Sequence, residues 1–123
     1  MKNWQKKEFN RYLDVPFLDK FTFDAEDGLF FECYFDESKK IVSFDSYLVL
    51  RTINESDAFK ILDEQNFDGT AWFFTSEDSE LIDWFNGQSS DIHKGKYQHC
   101  IILTQEKVIE ILSQQAPQIT TVE

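Results

Sequence analysis

Apolar positions change their spacing along the chain, and this change predicts the secondary structure. Residues 3–13 have the spacing of a helix that Pro16 ends, and its apolar side chains are Trp4, Phe9, Tyr12 and Leu13. Three extended runs follow, at residues 21–25, 29–36 and 41–51, with short polar turns at hairpin spacing between them. We expect these three runs to form an antiparallel meander.

The middle run, residues 29–36, alternates strictly between two faces. One face carries only apolar or small side chains, namely Leu29, Phe31, Cys33 and Phe35. The opposite face carries Phe30, Glu32, Tyr34 and Asp36. A strand with this pattern packs one face on a core and leaves the other face in contact with water.

From residue 54 the spacing becomes helical again and then alternates with apolar runs. Asn54 or Ser56 is suited to cap a helix that runs toward Gly69. The later expected elements are a strand at 70–74, a helix from 75 to Gly87 with Leu81, Ile82 and Phe85 inside, a strand at 97–103, and a last helix carrying Val108, Ile109, Ile111 and Leu112 after the capping Thr104. Pro117 then begins a frayed tail.

These elements predict a single α+β domain over residues 1–123, with one mainly antiparallel sheet of about five strands and about four helices. It divides into a helix plus meander (1–53), alternating helices and strands (54–116) and a tail (117–123). A chain of 123 residues with 13 Phe, 4 Tyr and 3 Trp can build a core without a metal or disulfide.

The formal charge of −11 is concentrated in two blocks. Residues 14–37 carry a net charge of −7 and residues 54–92 a net charge of −9, while the other segments are neutral or positive. Such an excess repels the phosphate backbone, so direct nucleic-acid binding is excluded. Acids at caps and turns can simply keep a Phe-rich protein in solution. A long-range negative field also attracts basic partners.

The candidate chemistry points away from catalysis. Neither histidine, His93 or His99, lies at ligand spacing from cysteines, and no nucleophile elbow or phosphate loop is present. Cys33 and Cys100 lie in apolar runs, so we expect two reduced, buried thiols, although a bridge between them stays open. We therefore expect no catalytic residue, no metal and no cofactor. A hydrolase built on paired carboxylates remains an alternative.

The N-terminal residues and the hydropathy predict a cytoplasmic location. Basic residues near Met1 are not followed by an apolar stretch, so no export signal is recognisable. No window approaches the roughly 20 apolar residues that a membrane span needs.

Acidic residues near an exposed aromatic side chain are the candidate binding site. By helical count, Trp84 lies away from the face of Leu81, Ile82 and Phe85 and is expected to be partly exposed. Aromatic side chains beside charges are typical of binding hot spots. The predicted partner-binding set is Asp24, Glu26, Asp27, Glu77, Asp78, Glu80, Asp83 and Trp84.

A short acidic chain without a catalytic set resembles the immunity proteins of bacterial contact-dependent growth inhibition systems. The segment Tyr97–Ser113 is similar to the strand, capping Thr and apolar helix that close several of them. The resemblance implies non-enzymatic neutralisation of one cognate toxin domain, often a basic nuclease, in the cytoplasm of the producing cell. The family has no shared site residues that could be assigned to this chain.

Two other classes of function are open from the sequence. One is a nucleic-acid mimic that inhibits a DNA-binding enzyme, which would need a regular row of carboxylates. The other is a small ligand-binding or enzymatic domain that uses the wet sheet face around Glu32, Tyr34 and Tyr47.

Overall fold

Alternation of apolar and polar side chains produces nine strands in the part of the chain that the computed structural model describes, residues 4–9, 16–24, 28–35, 38–58 and 71–122. In chain order they are β1 (Gln5–Phe9), β2 (Phe17–Asp24), β3 (Gly28–Tyr34), β4 (Lys39–Phe44), β5 (Val49–Asn54), β6 (Ala71–Ser76), β7 (Gln98–Leu103), β8 (Lys107–Ser113) and β9 (Gln118–Val122). A 3-10 turn spans Glu55–Asp57, and helix α1 spans Glu80–Gln88.

The strands form two antiparallel sheets that pack as a sandwich. The five-stranded sheet has the order β1-β6-β7-β8-β5, and the four-stranded sheet has the order β2-β3-β4-β9. Their inner faces share one apolar core, to which β3 and β4 contribute Phe31 and Phe44 and the larger sheet contributes Phe73, Ile102 and Ile109. Burial of this shared face is the main term that holds the sheets together.

The predicted meander is confirmed for β2, β3 and β4, which pair in sequence order. Leu29, Phe31 and Cys33 are fully buried, whereas Phe30 and Tyr34 on the opposite face are exposed. The strands predicted at 70–74 and 97–103 are confirmed as β6 and β7. The helix carrying Leu81 and Ile82 is also present, as α1.

The prediction of an α+β domain with one sheet and four helices is wrong. The segment expected as the last helix is strand β8, which pairs with β7 on one side and β5 on the other. Val108, Ile109, Ile111 and Leu112 are buried on both faces of the sheet. A short run that is apolar on both sides fits either period, and here its β-branched residues and two neighbouring strands favour the strand.

The predicted N-terminal helix is also wrong, because pairing with a strand that is distant in the sequence determines the structure of this segment. Residues 5–9 form β1 and pair with the buried strand β6 at the edge of the larger sheet. Trp4 packs on the outer cluster of this sheet, but Phe9 is exposed, so the apolar side expected for a helix is not formed. Tyr12 and Leu13 lie outside the described residues.

Three other predicted segments also differ from the structure. The run 41–51 was expected as one strand, but the chain leaves the smaller sheet after Phe44 and enters the larger sheet as β5 at Val49. The residues expected to begin the next helix instead end β5 and form the 3-10 turn, and the rest of that predicted helix, 59–69, lies outside the described residues. The predicted tail contains β9, which pairs with β4.

Gly28 is where the smaller sheet has no room for a side chain. Its φ of +84° lies in the left-handed region, and a Cβ at this position would lie 2.0 Å from the carbonyl oxygen of Phe44. Backbone of the β4 end therefore packs directly on the start of β3.

Gly28→Ala should lower the free energy of unfolding by about 3 kcal/mol, because it combines a strained φ with a steric clash against backbone. Urea unfolding monitored by fluorescence measures this change. Gly87→Ala is the matched control, since a Cβ at Gly87 meets nothing within 4 Å. Because Gly87 lies within α1, that variant should be more stable by about 0.5–1 kcal/mol. Equal unfolding midpoints for the two variants would contradict this account of Gly28.

Candidate partner-binding surface

Helix α1 begins at a well-formed cap on the outer face of the larger sheet. The Ser79 hydroxyl accepts a hydrogen bond from the backbone N–H of Ile82, at 3.2 Å. Sequence reasoning placed the start of this helix at residue 75, but Thr75 and Ser76 end β6. A serine at the cap satisfies an N–H that would otherwise lack a partner, which explains the later start.

Apolar and polar contacts fix α1 to the sheet. Leu81 and Ile82 are buried in a cluster with Tyr97 and Leu112 of β8. The Tyr97 hydroxyl shares its one proton between Asn86 Oδ1 at 2.6 Å and the carbonyl oxygen of Ile82 at 3.2 Å. Burial, followed by the nearby carboxylates of Asp83 and Asp91, raises the pKa of Tyr97. The tyrosine therefore stays protonated at neutral pH and keeps the proton that it donates to the helix.

Five of the eight predicted partner-binding residues lie together at this helix. Glu77 and Asp78 are exposed just before the cap, and Glu80 and Asp83 are exposed in the first turn. Acidic groups stabilise this end of a helix because the helix dipole is positive there. Trp84 follows directly with 54% of its surface exposed, as the helical count predicts. We call residues 77–84 the acidic–aromatic surface.

The other three predicted residues do not join this surface in the same way. Asp24 is exposed at the end of β2 in the smaller sheet, and Glu26 and Asp27 lie outside the described residues. Asp24 pairs with Gly28, where a Cβ would clash with the carbonyl oxygens of Phe44 and Asp45. Residues 45–48 then cross to the larger sheet, where Leu48 packs on the cluster of α1. Asp24 thus belongs to the smaller sheet, whereas the acidic–aromatic surface lies on the larger sheet.

An open groove runs between α1 and the edge strand β5. Its volume is ≈ 410 Å³. The lining residues are Val49, Leu50 and Arg51 of β5 and Glu80, Leu81 and Trp84 of α1. Apolar walls with a few charged groups are the usual composition of a binding groove. Sequence reasoning did not find the β5 wall, because residues 41–51 were expected in one strand of one sheet.

Beneath the groove a buried carboxylate pairs with two basic side chains. Glu110 of β8 has 1% of its side chain exposed and forms a bidentate pair with Arg51, in which Nη2 lies 2.8 Å from Oε1. His99 of β7 has its Nε2 3.1 Å from the same Oε1, at ion-pair distance but without hydrogen-bond alignment. His99 Nδ1 shares a 2.7 Å hydrogen bond with the Ser79 hydroxyl.

These contacts determine the ionisation of Glu110. Burial by itself would raise the pKa of this carboxyl group, but His99 and Arg51 outweigh it, so the pKa lies below its ordinary value of 4.5. Glu110 is therefore a carboxylate at neutral pH. It joins β5, β7 and β8 on the sheet face that α1 covers.

The order Ser79, His99, Glu110 has the connectivity of a nucleophile, a base and an acid, which sequence reasoning missed. Ser79 is 2% exposed, and its hydroxyl oxygen already accepts the Ile82 N–H of the cap. A nucleophile must reach its substrate, and this hydroxyl is enclosed by α1 and β7. The arrangement therefore fits a helix cap supported by a polar network. A glutamate in the middle of the apolar run 108–112 was the signal in the sequence.

The side chains of the alternative site, Glu32, Tyr34 and Tyr47, do not lie together around one pocket. Glu32 pairs with Lys39 at 2.8 Å, and the Lys39 ammonium lies 5.6 Å from the centre of the Tyr34 ring. Tyr47 packs instead beside Phe23 and the core between the sheets. The wet outer face of β3 therefore does not share a pocket with Tyr47.

The remaining candidate groups have structural surroundings. Cys33 and Cys100 are free and buried, and burial raises the pKa of each thiol to about 12, with a further contribution from Glu106 at Cys33. His93 stacks on Phe85 with ring centres 6.0 Å apart. Trp72 is fully buried. Across the described ranges, no three His, Cys, Asp or Glu side chains gather in a cluster that could hold a metal ion.

In the part of the chain that the structure describes, no helix has the length and apolar character to cross a membrane.

Comparison with known proteins identifies no family for this chain. No family model, no curated protein and no solved structure matches it.

Glu110→Gln should lower the free energy of unfolding at neutral pH by about 2 kcal/mol, because hydrogen bonds to a buried charge are worth about 1.5–3 kcal/mol. The folded-state pKa of Glu110 is depressed, so its stabilisation is fully present above the unfolded-state value and is lost as pH falls through the folded-state value. The difference between wild type and variant should therefore be constant above about pH 5.5 and shrink below 4.5.

Urea unfolding from pH 3 to 7 measures this difference. Glu32→Gln is the control, since Glu32 also pairs across neighbouring strands, with Lys39, but on the outer face of the sandwich. Its effect should be the smaller of the two at neutral pH. An equal or larger loss for Glu32→Gln would contradict the role assigned to the buried network.

Proposed function

We propose that this chain acts by binding and neutralising a basic protein, as an immunity protein neutralises its cognate toxin domain, and that it does so in the cytoplasm without catalysing a reaction. The observation that carries the proposal is the acidic–aromatic surface. There a tryptophan that is 54% exposed follows four exposed carboxylates within residues 77–84 and borders an open groove.

The physical roles of these residues differ. Trp84 offers a large, rigid aromatic surface that gains free energy when a partner excludes water from it. Glu77, Asp78, Glu80 and Asp83 provide a negative field that accelerates encounter with a positive partner. The firm attachment of α1 through Leu81, Ile82 and Tyr97 keeps this surface in shape before binding, which lowers the entropy cost of association.

A basic nuclease is the partner class that suits this chemistry best. Its active site binds phosphates through Lys and Arg side chains, and carboxylates can occupy the same positions. Four exposed acids, Glu77, Asp78, Glu80 and Asp83, gather at one helix end, whereas mimicry of a nucleic acid would favour a regular row. The proposal relies on this surface alone, because the segment Tyr97–Ser113 that carried the family resemblance forms a β-hairpin rather than a strand and a helix.

Co-expression tests the function directly. Bacteria that produce the toxin domain encoded immediately upstream of this chain should grow when this chain is produced with it, and the two proteins should copurify. Growth arrest despite full production of the folded chain, with no complex on gel filtration, would refute the proposal.

Trp84→Ala should weaken the complex roughly 30-fold or more, because central aromatic anchors contribute about 2 kcal/mol or more to binding. The unfolding free energy should change by less than about 0.5 kcal/mol, since the side chain is largely exposed. Phe9→Ala is the matched control, because Phe9 is an exposed aromatic residue on β1, the other edge of the same sheet. Titration calorimetry should give unchanged affinity for this control. An equal loss for both variants would contradict the assigned surface.

Charge steering has a separate signature. Neutralising Glu77 and Asp83 together, as Glu77→Gln and Asp83→Asn, should slow association roughly threefold at low salt and have little effect at high salt. The control pair is Asp19→Asn and Asp57→Asn, which removes the same charge from exposed positions outside the surface. Stopped-flow fluorescence gives both rates. If the two pairs slow association equally, net charge rather than this surface steers the partner.

A further inference from the structure

We propose that the groove beside α1 receives an extended basic segment of the partner, which adds as a new strand to the edge of β5. This inference rests on the proposed function and states how the partner is held. It assigns main-chain recognition to β5 and side-chain recognition to Glu80 and Trp84.

The backbone of β5 is suited to pair with another strand. Within the part of the chain that the structure describes, β5 is an edge strand of the larger sheet. It pairs with β8 on one side, and no described strand pairs with its other side. Glu55 N–H donates to the Glu106 carbonyl at 3.1 Å, in register with the β5–β8 ladder. Because hydrogen bonding alternates along an antiparallel pair, the backbone N–H and C=O groups of Arg51 and Ile53 bond to β8. Leu50 and Thr52 then present their N–H and C=O groups at the outer edge.

The groove lies along this same edge, so an added strand would have its side chains inside it. Alternate side chains of a strand point to the same face, and those facing α1 would lie between β5 and the helix. Val49 and Leu81 provide apolar contacts, and Trp84 provides an aromatic face at the rim. A guanidinium or ammonium group that stacks on this ring would gain a cation–π interaction.

The charges favour a basic occupant over an acidic or neutral one. Among the described lining residues Arg51 is the one cation, and it pairs with Glu110 beneath it. The other charged residue in the described lining is Glu80, and the acidic residues Glu77, Asp78 and Asp83 lie next to it along the chain, so the formal charge of this part of the surface is negative. A second copy of this chain would bring a further formal charge of −11 and would be repelled.

A synthetic peptide provides a probe that does not require the natural partner. Acetyl-Arg-Val-Arg-Val-Arg-Val-amide should shift the backbone amide resonances of Leu50 and Thr52 and the indole resonance of Trp84 in nitrogen–proton spectra. It should also slow hydrogen exchange at those two amides, because both acquire main-chain partners. The same peptide with Glu in place of Arg should not bind. Binding of both peptides with equal affinity, or no shift along β5, would overturn the proposal.

The backbone component is tested by Thr52→Pro against Thr52→Val. Proline removes the outward N–H of residue 52 and leaves the ladder to β8 intact, since proline is accepted on edge strands. Thr52→Pro should weaken peptide binding about tenfold through loss of a main-chain hydrogen bond and of strand pairing, while Thr52→Val should bind as wild type does. Affinities within twofold of each other for the two variants would overturn strand addition.

A peptide methylated on its valine nitrogens repeats this test from the ligand side and does not depend on the folding of the proline variant. It should lose binding to the same extent. Co-expression with the toxin domain then separates the two proposals. Protection that survives Thr52→Pro but not Trp84→Ala overturns strand addition and leaves neutralisation standing. If wild type gives no protection, the proposed function fails, and the peptide titration still decides whether β5 accepts a strand.

Discussion

The buried carboxylate of Glu110 is the interaction on which the outer half of the molecule depends. A charge removed from water is costly unless it is paired, and Glu110 pairs with Arg51 from β5 and lies against His99 from β7. His99 in turn binds the Ser79 hydroxyl that caps α1. One ionised group therefore constrains three strands and the start of the helix.

This constraint connects the interior to the surface. The cap determines where α1 begins, and the position of the helix determines that Leu81 and Ile82 face the sheet while Trp84 faces solvent. Arg51 is the point at which the two parts meet, because its guanidinium pairs with Glu110 and its side chain also lines the groove. The shape of the candidate surface is thus a consequence of packing beneath it rather than of the exposed residues alone.

The sequence predicts elements whose pattern is local and misses those that depend on distant partners. The alternation in 29–36 identifies β3 and its buried face, and the helical count around Leu81 and Phe85 correctly leaves Trp84 outside. The run 108–112 could not be assigned in this way, because residues that are apolar at i, i+1, i+3 and i+4 fit a helix and also a strand buried on both faces. Only the pairing of this run with β5 and β7 determines that it is a strand, and β5 lies more than fifty residues earlier in the chain. The glutamate in that run was the local sign of a buried polar network, whereas nothing local marked β1 or β9, which are held by their neighbours' open edges.

The two cysteines provide a way to measure how the two sheets separate. Cys33 belongs to β3 and Cys100 to β7, so each sheet contributes one thiol to the core between the sheets. With a pKa of about 12 and no exposure, neither thiol reacts with an alkylating reagent until its surroundings separate. Mass spectrometry of partly alkylated protein would therefore reveal whether both sites become modified in the same molecules, as concerted sheet separation requires, or independently through smaller local fluctuations.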